Sequence, residues 1–312
     1  MTEDFVPSAS IDSHSMPMEV QIPLLESSSN IKGSSQHNDL KSHANNTNKT
    51  GFSSGDEKIS DQRMARSSTN GSKTLKLSDK LFAVAQLQTL GFYQALLSEF
   101  IGTMLLVIIG SSVGIPVAST PPVPALHGAL ASGFIVATII VGFGHTSGAH
   151  INPAVTVSFL AVCEIDFLRA FCYIGMQLLG ASCGSILVKL LVSPGVQSNL
   201  GMTTITTGVS ITQACVVEFI ITFILCYTVH AICDKRRDDI GGSKALAVGL
   251  AVVVGCLFGG PYTGGSMNPA RSFGPATVMN TWENHWVYWF GPLTGSIASA
   301  LVYTHILKHH HQ

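Results

Sequence analysis

Charge is what this sequence has least of. Only 11% of its 312 residues are Asp, Glu, Lys or Arg, less than half the roughly 25% usual in a soluble globular domain. Basic residues do not outnumber acidic ones, with 17 Lys and Arg against 18 Asp and Glu. No excess of positive charge is therefore available to meet phosphates, and nucleic acid is excluded as a partner. The little charge present is unevenly spread. Residues 1–80 hold 9 of the basic and 10 of the acidic residues, leaving 8 of each for the other 232 positions.

The N-terminal stretch lacks the opposite quality. Rich in Ser, Asn and Lys, with Phe5 and Phe52 as the aromatics of residues 1–80, it cannot bury enough apolar surface to offset its ordering entropy, which predicts a disordered tail over residues 1–85. It has no basic region followed by an apolar one, so it does not read as a secretory signal, and its acidic start argues against a mitochondrial presequence. The seven cysteines all fall in or beside apolar runs rather than in the loops Pro116 to Val123 and Ser193 to Ser210. No disulfide framework is implied, and most of them read as small buried hydrophobes.

What remains, residues 86–312, is a series of long apolar runs. Six reach the roughly 20 residues a helix needs to cross a bilayer: Tyr93 to Ile115, Pro124 to Gly144, Leu168 to Val192, Ile211 to Cys233, Lys244 to Pro261 and His285 to Leu307. A soluble bundle would need polar outer faces, and these runs have almost none. The expected fold is an all-α membrane domain. Basic residues near span ends gather before Tyr93, at Arg169, at Lys235 to Arg237 with Lys244, and at Lys308. That distribution predicts both termini in the cytoplasm, with Lys189, at the other side, placed to snorkel.

The domain also repeats. Ser147-Gly148-Ala149-His150-Ile151-Asn152-Pro153-Ala154 lies between spans two and three, and Thr263-Gly264-Gly265-Ser266-Met267-Asn268-Pro269-Ala270-Arg271 between spans five and six, 116 positions on. Ser98-Glu99-Phe100-Ile101 in span one is answered by Val217-Glu218-Phe219-Ile220 in span four. Each half, about 90–195 and 208–308, carries three spans, and an odd number forces the second half to enter the membrane from the opposite side. The apolar segments after the two boxes, Pro153 to Val162 and Pro269 to Met279, are long enough for about 15 Å of helix, half of a ~30 Å hydrocarbon core. Two such half-helices meeting from opposite faces would complete one more crossing.

Asn is a favoured N-cap and Pro a favoured first helical residue, so Asn152 and Asn268 are predicted to start these half-helices. Each cap uses its side-chain oxygen on backbone N–H groups, which would leave both amide N–H groups of each Asn as donors facing a polar cavity. The positive helix ends meeting there would repel cations. A passive pore for small neutral solutes is the resulting expectation, with no enzymatic chemistry and no cofactor.

With two Asn-Pro-Ala boxes and a duplicated Glu, the chain from about residue 90 onward resembles the aquaporin, or major intrinsic protein, family. The segments Phe258 to Arg271 and His285 to Pro292 are most similar to its aquaporin-8 branch. The resemblance implies six transmembrane helices with two re-entrant half-helices, a homotetramer with one pore per subunit, and passage of water and of ammonia and hydrogen peroxide. It also implies a selectivity constriction, which ungapped spacing from the boxes carries onto Ser132, Cys256, Gly265 and Arg271. Ser132 and Cys256 depart from the bulkier residues usual there, so a wider and more polar gap is expected. Glycerol-conducting members carry Asp after the arginine, where this chain has Ser272, which makes a glycerol channel the second reading. A membrane scaffold that kept the fold without conducting is the third.

Glu99 and Glu218, as membrane carboxylates, are functional candidates by default. Their symmetric placement favours accepting hydrogen bonds from the loops that carry the boxes, and Gln177 is given a similar part. His145 and His150, without Cys, Asp or Glu nearby, make a poor metal pair, and loop bracing is expected of them. A plasma-membrane location is expected, with an intracellular membrane as the alternative.

Overall fold

The computed structural model describes residues 83–115, 124–192, 199–237 and 239–307, all within one compact unit, Ser72–Gln312. The tail reading therefore lies outside the described residues, apart from its last three positions. Among the described residues, after a 3-10 turn, Val84–Gln88, come eight α-helices: α1 Leu90–Ser112, α2 Ala125–Ser147, α3 Pro153–Ala161, α4 Phe167–Leu191, α5 Ile211–Cys233, α6 Lys244–Thr263, α7 Pro269–Met279 and α8 Val287–Leu301, the last continued by a π-helical segment, Val302–Leu307. No strand interrupts this order among the described residues.

Five of these helices, α1, α2, α4, α5 and α6, are long and apolar enough to cross a membrane. The sixth expected span divides instead into the 15-residue α8 and its π-helical continuation, while His285, its expected first residue, sits in the preceding turn. Two other ends differ from expectation for simple reasons. Helix α1 begins three residues earlier than Tyr93 because Thr89 caps it, its hydroxyl accepting from Phe92 N at 3.3 Å. Helix α6 runs on past Pro261 to Thr263, since a proline so near a C-terminus removes only one ladder bond.

The short helices are where the boxes put them. Asn152 Oδ1 accepts from Ala154 N at 2.8 Å and starts α3, and Asn268 Oδ1 accepts from Ala270 N at 3.0 Å and starts α7. Their 9 and 11 residues give lengths of about 14 and 16 Å. The other spans begin on ordinary caps: Asp166 for α4, Ser243 for α6, and a Ser210 and Gln213 capping box for α5.

Packing follows the repeat. Helix α1 packs on α4 and α5 packs on α8, as equivalent pairs, while each half-helix lies against the third span of the other half, α3 on α8 and α7 on α4. Helices α2 and α6 cross between the halves. At that crossing a Cβ on Gly133 would come within 2.4 Å of the Gly249 carbonyl oxygen, and one on Gly249 within 2.5 Å of the Gly133 carbonyl oxygen. These two glycines are 116 positions apart, so the pseudo-twofold axis passes between them.

Burial is inverted relative to a soluble bundle. Glu99, Thr103, Gln177, Glu218, Thr222, Ser296 and Ser299 are fully buried between helices, whereas Phe134, Val141, Phe171, Leu190, Leu191 and Phe290 are exposed. Large apolar side chains facing outward cost nothing when the solvent is lipid, and small residues inside let helices approach. Below the membrane domain, the turn after α5 is tied by Arg236, which holds Asp234 through two hydrogen bonds at 3.1 and 2.9 Å and keeps its carboxyl well below the usual carboxylate range.

The α2–α6 crossing yields a test. Gly133→Ala places a methyl against backbone that cannot rotate away, and we expect a loss of about 1–3 kcal/mol. Gly142→Ala, on the same helix with nothing within 4 Å, serves as control. Thermal unfolding in detergent should show a lowered midpoint for the first and none for the second.

Candidate pore

The backbone between α2 and α3, and again between α6 and α7, has to turn sharply inside the protein. Helices α2 and α6 each end on a glycine in the left-handed region, Gly148 at φ 87° and Gly264 at φ 81°. Three residues later, Ile151 at φ 45° and Met267 at φ 55° are also left-handed, an uncommon conformation that is costly for β-branched Ile151.

One carboxylate holds each turn. Glu99 Oε1 accepts from Ser147 Oγ at 2.7 Å and His150 N at 2.9 Å, and Glu99 Oε2 accepts from Ile151 N at 2.7 Å. In the second half Glu218 Oε1 accepts from Thr263 Oγ1 at 2.6 Å and Ser266 N at 2.9 Å, and Oε2 accepts from Met267 N at 2.9 Å. Every donor has its counterpart 116 positions away. A tyrosine closes each arrangement from behind: Tyr173 OH donates to Ser147 O and Tyr288 OH to Thr263 O, both at 2.9 Å. Gln177 adds a fourth donor to Glu99 through Nε2 at 2.8 Å and reaches Thr156 Oγ1 at 2.9 Å. His150 Nδ1 lies 3.2 Å from Thr156 Oγ1, whereas His145 is on the exposed end of α2.

The two boxes then grip each other. Asn152 Nδ2 donates to Met267 O and Asn268 Nδ2 to Ile151 O, each at 2.9 Å. This corrects the expectation that both amide N–H groups of each Asn face the cavity. One proton of each amide is used across the axis, because the left-handed turn at Ile151 and Met267 points those carbonyls at the opposite box, and one remains.

One cavity of about 110 Å³ is lined by His150, Asn152, Ser266, Asn268 and Arg271, and by Ser132, Cys256 and Gly265, with room for several waters. Its other walls are apolar, Val136, Ile140, Val155, Phe159, Leu225, Val229, Val248 and Val252 among them. All four constriction residues named from spacing are thus brought into one cavity with both Asn caps. Arg271 Nη1 donates to the Gly201 carbonyl at 2.7 Å, Ser132 Oγ to Gly110 O at 3.2 Å, and Cys256 Sγ lies 3.9 Å from Gly265 O.

Cysteine placement needs a correction. Most cysteines read from the sequence as small buried hydrophobes, yet Cys233 is exposed and joins Cys256 in lining the cavity. It ends α5, a 23-residue helix that starts beside the Gly201 loop, so it stands about 34 Å of helix away, at the opposite mouth. The apolar run gave no sign of which face of the last turn would point inward. Ser147 and Thr263 were overlooked as carboxylate donors although their spacing equals that of the boxes. Gly201 could not have been found by sequence, since it reaches Arg271 only through the fold.

A family model, Major intrinsic protein, matches residues 86–303. Aquaporin-4 of Bos taurus is 43% identical over 218 residues, covering 69% of this chain and 68% of that protein. Lens fiber major intrinsic protein of Canis lupus familiaris is 44% identical over 225 residues, covering 71% and 84% respectively. Among solved structures, the aquaglyceroporin from Plasmodium falciparum superposes with a TM-score of 0.62 at 23% identity, covering 70% of this chain and 97% of that one, a likeness of fold. With the boxes, the carboxylate-held turns and a family match over most of its length, the chain belongs to the major intrinsic protein family, as an integral membrane channel and not an enzyme.

Proposed function

We propose that this channel passes water, and with it hydrogen peroxide and ammonia, while excluding ions and protons. The observation that carries the reading is one cavity lined by both Asn caps and Arg271. Two half-helix N-termini and a guanidinium meet along it, so a cation entering would face positive potential without a carboxylate on the lining. A water molecule at the centre can accept from the remaining amide proton of each Asn, which orients it away from donating along the file to both neighbours. Ser132 and Cys256 leave space opposite Arg271 that a Phe or His would fill, and this favours peroxide and ammonia, which exchange hydrogen bonds as water does. The charge distribution supports cytoplasmic termini, and family resemblance supports a homotetramer in the plasma membrane. The aquaporin-8 resemblance of the two segments quoted above is in keeping with this solute range.

Proteoliposomes containing the purified protein should shrink faster than empty vesicles after an osmotic step, with an activation energy near that of water diffusion. Equal rates would remove the channel reading and favour the scaffold. Replacing Arg271 by Val should preserve water flux and admit a proton leak, measured with a pH dye under an imposed potential. A variant as tight as wild type would assign the barrier to the half-helices alone.

Mercurial inhibition tests the two conduit thiols separately. Water flux should be blocked in wild type and only partly protected by Cys256→Ser, because Cys233 stands at the other mouth. The Cys256→Ser, Cys233→Ser double variant should resist, and Cys172→Ser should remain as sensitive as wild type. Full protection by Cys256→Ser alone would mean that Cys233 does not reach the solute path.

A further inference from the structure

Behind the conduit, reaching its lining only at Ser266, runs a chain of hydroxyls that links the loop 199–209 to the second box. Thr203 Oγ1 lies 2.7 Å from Ser272 Oγ, and Ser272 Oγ lies 2.6 Å from Ser266 Oγ. All three residues are buried, at 8%, 2% and 4% exposure. Ser266 Oγ donates its proton to the Asn268 carbonyl at 3.0 Å, so its bond to Ser272 has to be one that it accepts. Ser272 then donates to Ser266, and Thr203 donates to Ser272. The chain has one direction, from the loop to the box, and it ends on the carbonyl of the Asn that caps α7.

The loop it fastens is the one that carries the acceptor of Arg271. Gly201, two residues before Thr203, offers its carbonyl to Arg271 Nη1 at 2.7 Å. Gly201 is itself pressed against the end of α1. It has φ +68°, and a Cβ there would fall 1.9 Å from the Ser111 carbonyl oxygen. On its other side the loop meets the turn of the second box, where a Cβ on Gly264 would come 3.2 Å from Thr203 Cα, and Thr206 N donates to Tyr262 O at 2.9 Å. Contact with α1 limits how far the loop can move one way, and the other way it is limited by the burial of Leu200 against Ile115 and Val188 and by the bonded groups. Among these, the Thr203 to Ser272 bond joins the loop to the residue next to Arg271.

We propose that Ser272 is a positioning residue for selectivity: with Thr203 it holds loop 199–209 against α7, so that the Gly201 carbonyl keeps the Arg271 guanidinium at its place in the constriction. The proposal rests on the channel reading above. Arg271 has a long side chain with several rotatable bonds, and a single bond to a fixed carbonyl defines its position only as well as the carbonyl is fixed. Loss of either hydroxyl frees the loop, lets the arginine swing, and enlarges the gap that Ser132 and Cys256 already leave open. Neither Ser272 nor Thr203 lines the cavity, so water has no contact to lose when they change.

The alternative is that these hydroxyls only satisfy one another in a buried place, and selectivity distinguishes the two. The full chain is reconstituted as wild type, Ser272→Ala, Thr203→Val, Thr203→Ser and the Ser272→Ala, Thr203→Val double variant. Water, urea and proton permeabilities are measured on the same vesicles, with Arg271→Val as the reference for a loosened constriction. Removing one neutral hydrogen bond should raise the urea-to-water and proton-to-water ratios by about fivefold in Ser272→Ala and Thr203→Val, with water flux itself kept. Thr203→Ser retains the hydroxyl and should match wild type, and the double variant should be no leakier than either single one, because both break one chain. Should Ser272→Ala fail to reconstitute, Thr203→Val, nearly identical in shape to threonine, decides alone. Ratios equal to wild type, with or without a lowered melting temperature, overturn the proposal and leave the channel reading intact. A wild-type protein that passes no water overturns both.

Discussion

A carboxylate shut between apolar helices is stable only when its oxygens receive hydrogen bonds from groups that would otherwise also lack partners. Glu99 and Glu218 meet that condition by accepting the backbone N–H groups of two turns that no secondary structure satisfies. Each of these charge-assisted bonds contributes about 1.5–3 kcal/mol. The left-handed conformations at Ile151 and Met267 cost of order 1–3 kcal/mol each, and one such bond to each of their N–H groups is enough to offset it. The rest depends on this exchange. Without the carboxylates the turns relax, the Ile151 and Met267 carbonyls leave the opposite Asn, and the half-helices lose the contact that sets them end to end.

Inversion explains why the arrangement closes. Because the halves enter from opposite sides, the Asn of each box faces the carbonyl beside the other, and the two donations are reciprocal. Such reciprocity needs a symmetry axis through the centre, and the mutual approach of Gly133 and Gly249 at the α2–α6 crossing marks another point on it. The half-helices then lean on the third spans of the opposite halves, which makes each box depend on both repeats. Neither half could form a conduit alone.

Departures from symmetry show where the two mouths differ. The first half adds Gln177 to its carboxylate and, behind Tyr173, the Arg169 guanidinium 5.9 Å from the Tyr173 ring and 5.7 Å from that of Phe92. Arg169 Nε donates to Gln86, which donates to Asp166, so this mouth is tied to the segment before the first span. The second half lacks those groups and has instead Arg271, the Gly201 loop and the Thr203, Ser272 and Ser266 hydroxyls. One end is thus braced by charge and the other carries charge to the lining of the cavity.

The sequence by itself determined the membrane environment, the count of halves and the place of both half-helices. Those properties are local or periodic: a bilayer demands length and apolarity, a repeat is visible as spacing, and Asn followed by Pro starts a helix whatever surrounds it. The roles of Glu99 and Glu218 were legible for the same reason, since a paired carboxylate in two equivalent spans needs paired donors. Only the tertiary structure decided how the two boxes touch, because the use of one amide proton of each Asn on the opposite carbonyl depends on residues more than a hundred positions apart. It alone turned Cys233 toward the cavity, for an all-apolar helix has no polar face from which its orientation could be read. It also brought Gly201 to Arg271, as a loop's carbonyl is available to any residue the chain can reach, and which one it meets is fixed by packing rather than by composition.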